Sequence, residues 1–276
     1  MIARLLDATP YALAVNVPYG IAFAAIAIET SWLFAVSDAR RTFARSTRTA
    51  VAMGMGGLVV SAVYTLMLRG LWLALSPGAP RALDALWRAH PVIGAVTAFV
   101  CWDAAGWVYH WVGHRTRIGW AAHRPHHTGD AYDMTLGLRQ SWAPFHGLAY
   151  QPLLALAGFD FRVIAVCAAV SNCWQILEHT AAPITLPRWL SAVVMTPESH
   201  RHHHDVDAPA VNLGPVFTWW DRLAGSWVPL GRPAPARYGI PSAGGAVAIQ
   251  LSGWRDLPSP ALDERLRPIE LGVVDS

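Results

Sequence analysis

The chain has 276 residues, 54% of them hydrophobic and only 14% charged, against about 25% charged in an ordinary soluble domain, so the composition argues for a membrane protein. A net charge of +3 without any basic-aromatic platform excludes a nucleic-acid binder. All 21 Lys-plus-Arg residues are arginine, a usage that points to a GC-rich bacterial genome. The three cysteines (Cys101, Cys167, Cys173) sit in apolar segments without C-x-x-C pairing and read as buried small residues.

In chain order, the opening MIARLLDATPYAL lacks the charged start, short apolar run and cleavage site of a signal peptide. Tyr11 to Val36 is long enough to cross a hydrocarbon core of ~30 Å at 1.5 Å per residue, with Pro18 kinking it or marking its start. Glu29 lies near its far end, and the reading favoured here is an interfacial carboxylate beside Trp32. The next segment, DARRTFARSTR, reads as a loop. Its Arg40, Arg41, Arg45 and Arg48 place it on the cytoplasmic side by the positive-inside rule.

Val51 to Leu75 is expected to span again, with Gly54, Gly56 and Gly57 permitting close packing. A Pro/Gly-punctuated loop follows, in which His90 stands alone and reads as solvated. Pro91 to Val112 forms the next span and returns to the cytoplasmic side. Ala143 to Phe159 and Phe161 to Ala182 form a full or partly re-entrant hairpin. Residues 183–240, rich in Pro, Gly, Arg and Trp, read as a cytoplasmic cap. Residues 241–276 form a tail without a chemical motif, where Asp263 to Arg267 reads as a solvated helix face. The fold class expected is therefore all-α: one integral-membrane domain over residues 1–276, with four to five spans and a histidine-rich cytoplasmic cap.

Chemistry concentrates between Asp103 and Trp142 and again near residue 200. His110 and His114, at i and i+4, leave one face of a helix. His123, His126 and His127 follow as H-x-x-H-H, and the same pattern recurs at His200, His203 and His204. Imidazole is the commonest protein ligand for zinc, copper, iron and nickel, and one ion takes three or four. These eight suffice for two ions. A purification tag is contiguous and terminal, and this pattern is neither. Asp103, Asp130, Asp205 and Asp221 are candidates to accept the second N–H of ligating imidazoles.

The order of these boxes resembles the fatty acid hydroxylase/sterol desaturase superfamily of membrane di-iron enzymes. Further residues carry the resemblance: Asp103 before the first box, Trp120 before His123, Arg139 after the second box, and Thr196-Pro197 introducing the third. Asn212-Leu213-Gly214 and Trp220-Asp221-Arg222-Leu223-Ala224-Gly225 complete it, over about residues 100 to 240. The resemblance implies a ninth ligand, His179, at the end of an apolar helix, with Gln175 on the same face and Glu178 as an acceptor for an imidazole N–H. Its plainer reading is a histidine capping a helix C-terminus. In the third box, His202 falls at the variable position and is not expected to ligate; His146 is left unassigned.

By the same resemblance, two iron ions and O2 would oxidise C–H bonds of a lipid or similar apolar substrate entering sideways from the bilayer. Hydroxylation is preferred, and desaturation of a sterol, carotenoid or fatty acyl lipid is the alternative. Zinc could substitute in purified protein. Arg139 would pair with a carboxylate near the site. No haem-binding motif lies outside the boxes, so electrons would come from a separate ferredoxin-like or cytochrome-b5-like donor. Two other classes compete. A metal transporter would show ionisable residues midway along several helices, and a zinc-stabilised scaffold would tolerate iron depletion.

Overall fold

The computed structural model describes residues 2–38, 40–75, 89–129, 131–143, 151, 154–155, 157–207, 210–231, 233–235, 237–240, 242 and 244–258. Among these residues the chain is helical, with only isolated β-bridges joining its loops. Two long helices come first, α1 (Ile2–Val36) and α2 (Arg40–Leu75). The segment read as an arginine-rich loop is in fact the start of α2. Arginine is a good helix former, and the turn after Val36 needs only three residues, closed by Ser37 N donating to Leu33 O and Arg40 Nη2 donating to Ala35 O. Pro18 lies inside α1 and does not end it.

Next come α3 (Pro91–Arg115) and α4 (Arg117–His123), a 3-10 turn at Arg124–His127 and another at Met134–Leu138. After them come α5 (Phe161–Glu178), the short α6 (Arg188–Ser191), α7 (Pro197–His203) and α8 (Trp219–Ala224), and finally α9 (Ala246–Arg255).

Among the described residues three helices are long and apolar enough to cross a membrane: Tyr11–Val36 within α1, Pro91–Arg115 and Phe161–Glu178. The 51–75 stretch is the rest of α2. Most of 143–159 lies outside the described residues, as do His146, Asp130 and 263–267. Large apolar side chains such as Ile28, Leu66, Val92 and Val96 are exposed, as expected for helix faces that meet lipid and not water.

α5 is the central post. On one side it buries Cys173 and Ile176 against Ala22 and Ile26 of α1 and Met134. On the other it buries Ile164 and Cys167 against Ala98 and Trp102 of α3. The α2 glycines serve a different contact from the helix–helix packing expected. A Cβ on Gly54 would sit 3.2 Å from Leu138 Cβ, and one on Gly56 would sit 2.3 Å from the Trp142 ring. They admit the segment following the second histidine box, where Trp142 Nε1 donates to Met53 O at 2.8 Å.

Glu29 departs most from its sequence reading. It is buried within the fold and is not interfacial. Its carboxylate accepts from Met134 N at 2.7 Å, Thr180 Oγ1 at 2.5 Å and Ala181 N at 2.8 Å. The carboxylate inside α1 thus ties together the segments that follow two different sets of histidines.

The Gly56 contact predicts that Gly56→Ala lowers the thermal stability of the detergent-solubilised protein by about 1–3 kcal/mol through overpacking against Trp142. Gly57 has open space, so Gly57→Ala should be neutral or stabilising by up to ~1 kcal/mol.

Candidate metal centre

The histidines are delivered by short, capped elements. His110 and His114 end α3. Thr116, in an extended conformation, breaks that helix and caps α4, accepting from Gly119 N at 3.0 Å. This corner turns His123 back toward α3, where Gly113 leaves 3.3 Å for its ring. Pro125 starts the 3-10 turn that carries His126 and His127. His179 is the C-cap of α5. In the third box Thr196 is the N-cap of α7, accepting from Ser199 N, and Pro197 occupies the first turn; both residues suit those positions. Hence the Thr-Pro pair before His200.

The nine histidines singled out by sequence converge in two adjacent groups. His110, His114, His123, His127 and His203 form one; His126, His179, His200 and His204 form the other. Within each group the candidate ligand atoms all lie within 4.8 Å of one another. Each H-H pair is divided between the groups, so neighbouring residues serve different centres. His127 and His204 lie against each other across the divide, ring centroids 4.7 Å apart. His202 and His90 belong to neither group.

Backbone carbonyls, more than carboxylates, set the ring orientations. His110 Nδ1 donates to Leu213 O at 2.8 Å, His203 Nδ1 to Val211 O at 2.9 Å, and His179 Nδ1 to Gln175 O at 2.5 Å. A carbonyl can only accept, so each Nδ1 carries the proton and each Nε2 a lone pair. Even so, the Nε2 atoms of His110 and His203 face each other at 3.1 Å. In the second group the three Nε2–Nε2 separations among His179, His200 and His204 are 3.1, 3.1 and 3.2 Å. A metal–nitrogen bond of about 2.1 Å places neighbouring ligand atoms roughly 3.0 Å apart at a right angle and roughly 3.4 Å apart at a tetrahedral one. The spacing is that of a coordination edge, and the donor set fits a metal.

The charge state agrees. Burial, reinforced by repulsion between the rings, holds His127, His200, His203 and His204 well below the usual histidine range. Burial brings His179 down to about 4. These five rings are held in the neutral form that ligation requires.

The carboxylates act one bond further out than expected. Asp221 touches no imidazole. It accepts from Leu213 N at 2.9 Å, Gly214 N at 2.7 Å, Ser226 Oγ at 2.6 Å and Trp107 Nε1 at 3.3 Å, and so fixes the loop whose carbonyls orient His110 and His203. Asp103 accepts from Phe217 N and Trp220 Nε1. Asp205 accepts from Asp207 N at the protein surface. Glu178 comes nearest to a ring: its Oε2 lies 3.7 Å from His200 Nδ1, both buried. Gln175 serves His179 through its carbonyl, while its side chain turns away to Ser171.

Burial raises the pKa of the Asp133 carboxyl and the charge of Arg139 lowers it in part, so a carboxylate does stand near this arginine. Arg139 donates to Thr128 Oγ1 and to Ser46 O and Oγ, fastening the second box to α2.

Several contributors escaped sequence reasoning. Asn212 takes φ 51°, its side-chain amide donating to Ser199 O and its oxygen accepting from Val228 N. Tyr132 stacks on His179 and donates to Glu178 O. Arg201 donates to Thr180 O and Ala182 O, joining the third box to the segment after His179. The tail read as featureless contains α9. There Gly253 lies so close to Ala121 O that a Cβ would sit at 2.4 Å, and Gln250 accepts from Trp142 N. Only Glu29 gave a usable signal, as a carboxylate within an apolar helix.

Residues 95–226 match the family model for fatty acid hydroxylase. This match, over slightly less than half of the chain, supports a place in the fatty acid hydroxylase/sterol desaturase superfamily. The chain is similar to curated alkylglycerol monooxygenases. That of Xenopus tropicalis is 30% identical over 125 residues, 44% of this chain and 27% of that protein. Those of Danio rerio and Homo sapiens are 29% and 28% identical, each over 48% of this chain and 30% of the relative. The chain thus spans less than a third of the length of these relatives. No solved structure matches it significantly. The matched stretch holds all nine histidines, but Glu29 and α9, which brace them, lie outside it.

Two outcomes follow from this geometry. Asn212→Ala forfeits two buried hydrogen bonds and places a residue with no polar side chain at positive φ. It should cost on the order of 2–4 kcal/mol and reduce bound metal, checked by denaturant unfolding and elemental analysis. The ring pKa values are depressed in the folded state, so below about pH 6.5 the unfolded state binds more protons than the native one. Metal-free protein should keep its stability above that pH and lose it as pH falls toward about 4, the value for His179, as followed by circular-dichroism melts.

Proposed function

We propose that this chain is an O2-dependent di-iron oxidoreductase that hydroxylates a C–H bond of a lipid or similarly apolar substrate. The observation that carries the reading is the pair of neutral imidazole groups with Nε2 atoms at coordination-edge spacing, set at the ends of apolar helices in a fatty acid hydroxylase domain. His110, His114, His123, His127 and His203 hold one iron; His126, His179, His200 and His204 hold the other. Bound there, the irons supply activation of O2. In balance, one oxygen atom would enter the C–H bond as a hydroxyl and the other would leave as water, with two electrons delivered one at a time by an external donor, ferredoxin-like or cytochrome-b5-like, and two protons from solvent.

The protein's part is to hold every imidazole in one tautomer, keep it neutral and exclude water. Nine histidines without cysteine suit two redox irons better than structural zinc, which is satisfied by four ligands. The boxes cluster at helix ends and beyond them, unlike the mid-helix path of a transporter. The names of the relatives make an alkylglycerol the first substrate to try.

Residues 1–276 act as one membrane domain, in a bacterial plasma membrane, with the metal site on the cytoplasmic side. Arg139 supports that side: it joins the second box to Ser46, among the arginines at the start of α2, where the positive-inside rule puts cytoplasm.

The test is mass spectrometry of membrane lipids from cells grown under 18O2, with and without added alkylglycerol, expressing the protein or its His203→Ala form. A product carrying one 18O, absent from the variant, is expected. A product two hydrogens lighter would make the enzyme a desaturase. No difference, in protein that binds zinc alone, would overturn the oxygenase reading.

A further inference from the structure

We infer that the cap is not wholly aqueous: the face formed by α6, the following residues to Val193, and α8 is immersed in the hydrocarbon of the leaflet that borders the metal site. The residues concerned are Trp189, Val193, Trp219 and Leu223, and the partner is lipid acyl chain. The inference goes beyond the proposed activity and does not depend on which metal is bound.

Depth carries the argument. Along α3 the exposed apolar side chains Val92, Ile93, Val96, Val108, Trp111 and Val112 run for about 30 Å at 1.5 Å per residue, the thickness of a hydrocarbon core. Exposed apolar side chains, interrupted between Val96 and Val108 where protein covers the helix, therefore reappear almost at the helix end. The cap segment does not wait beyond that end. Phe217 meets Phe99 edge-to-face at 5.8 Å. Asp103 accepts from Phe217 N at 3.2 Å and Trp220 Nε1 at 2.8 Å. A Cβ on Gly106 would lie 2.9 Å from Pro215, and Trp107 Nε1 donates to Asp221. These contacts lie roughly 10–25 Å along the axis from Pro91, between the two exposed stretches. A segment that pairs with α3 there is at membrane depth itself.

The outer face of that segment is built for lipid. Residues 192–195 and 216–218 are hydrogen-bonded side by side: Met195 N donates to Val216 O, Thr218 N to Val193 O and Thr218 Oγ1 to Ala192 O. These bonds satisfy Met195 N, Thr218 N and the carbonyls of Val216, Val193 and Ala192, in the direction an immersed segment requires. Leu223 is 82% exposed and Trp189 73%; in water, such an apolar face would be costly. Arg188 flanks it, and a long arginine side chain can reach the headgroups from such a position; Arg222 instead lies over the Trp227 ring, its Nε donating to Thr218 Oγ1. The buried carboxylate of Asp103 is the anchor holding the segment at this depth. The adjoining residues Val211 and Leu213 supply the carbonyls that orient His203 and His110.

Nitroxide labels on single cysteines in proteoliposomes test this. The native cysteines are buried or half-buried and leave the introduced sites to dominate. Leu223→Cys and Trp189→Cys are compared with Val96→Cys, on the exposed apolar face of α3, and Asp207→Cys, on the exposed cap surface. Accessibility to O2, which enters hydrocarbon, is measured against that to a water-soluble nickel chelate. The O2-to-nickel ratio at residues 223 and 189 should match that at 96. A ratio matching residue 207 would overturn the inference, and so would protection from both relaxants, which would mean a covering protein. Because metal content is read separately, failure here is distinct from failure of the oxygenase reading.

Discussion

His110 and His203 present two nitrogen lone pairs to each other at 3.1 Å, inside a pocket that burial keeps free of protons. Two acceptors at that distance repel. The same crowding recurs among His179, His200 and His204. Fold energy is being used to hold acceptors together, which is sensible only if a cation belongs between them. Most of the surrounding structure maintains this arrangement: corners that turn rings inward, carbonyls that fix tautomers, and braces that keep the carbonyls in place.

Those braces form layers. The Val211–Leu213 strip supplies two carbonyls two residues apart, and Asn212 between them takes a left-handed conformation that lets both point at imidazoles. Asp221 then secures the strip by its amides. On the other group, Glu29 gathers Met134, Thr180 and Ala181 from α1, while Arg201 gathers the carbonyls of Thr180 and Ala182 from α7. Arg139 and Gln250 hold the second box to α2 and α9. A change in any of these reaches the site without touching a ligand, because the braces hold the carbonyls that orient His110, His179 and His203.

Much of this could be read from the chain, and the unread part has a common cause. Helix spacing exposed the three boxes, and hydropathy exposed the apolar helices, since both are local periodicities. Local pattern could not say that His126 and His127 divide between two groups, because that depends on where a 3-10 turn points successive side chains. Nor could it predict that Asp103 and Asp221 act on backbone amides rather than on imidazoles. Glu29 was misread because its partners lie more than a hundred residues away. The arginines of α2 were misread as a loop because charge was taken for irregularity, although arginine favours helix.

The membrane and the site are closer than a simple division into spans and cap implies. α3 carries exposed apolar side chains and two of the histidines on the same helix, and the strip that orients His110 and His203 packs against its mid-length. The central claim remains that two metal centres, distinct in ligand set, are built from these nine rings. Iron quantification with Mössbauer spectroscopy on protein purified from iron-replete cells tests it most directly. The account predicts two irons per chain in two unequal environments, without sulfur ligation. A single iron per chain, or none in folded protein, would contradict it.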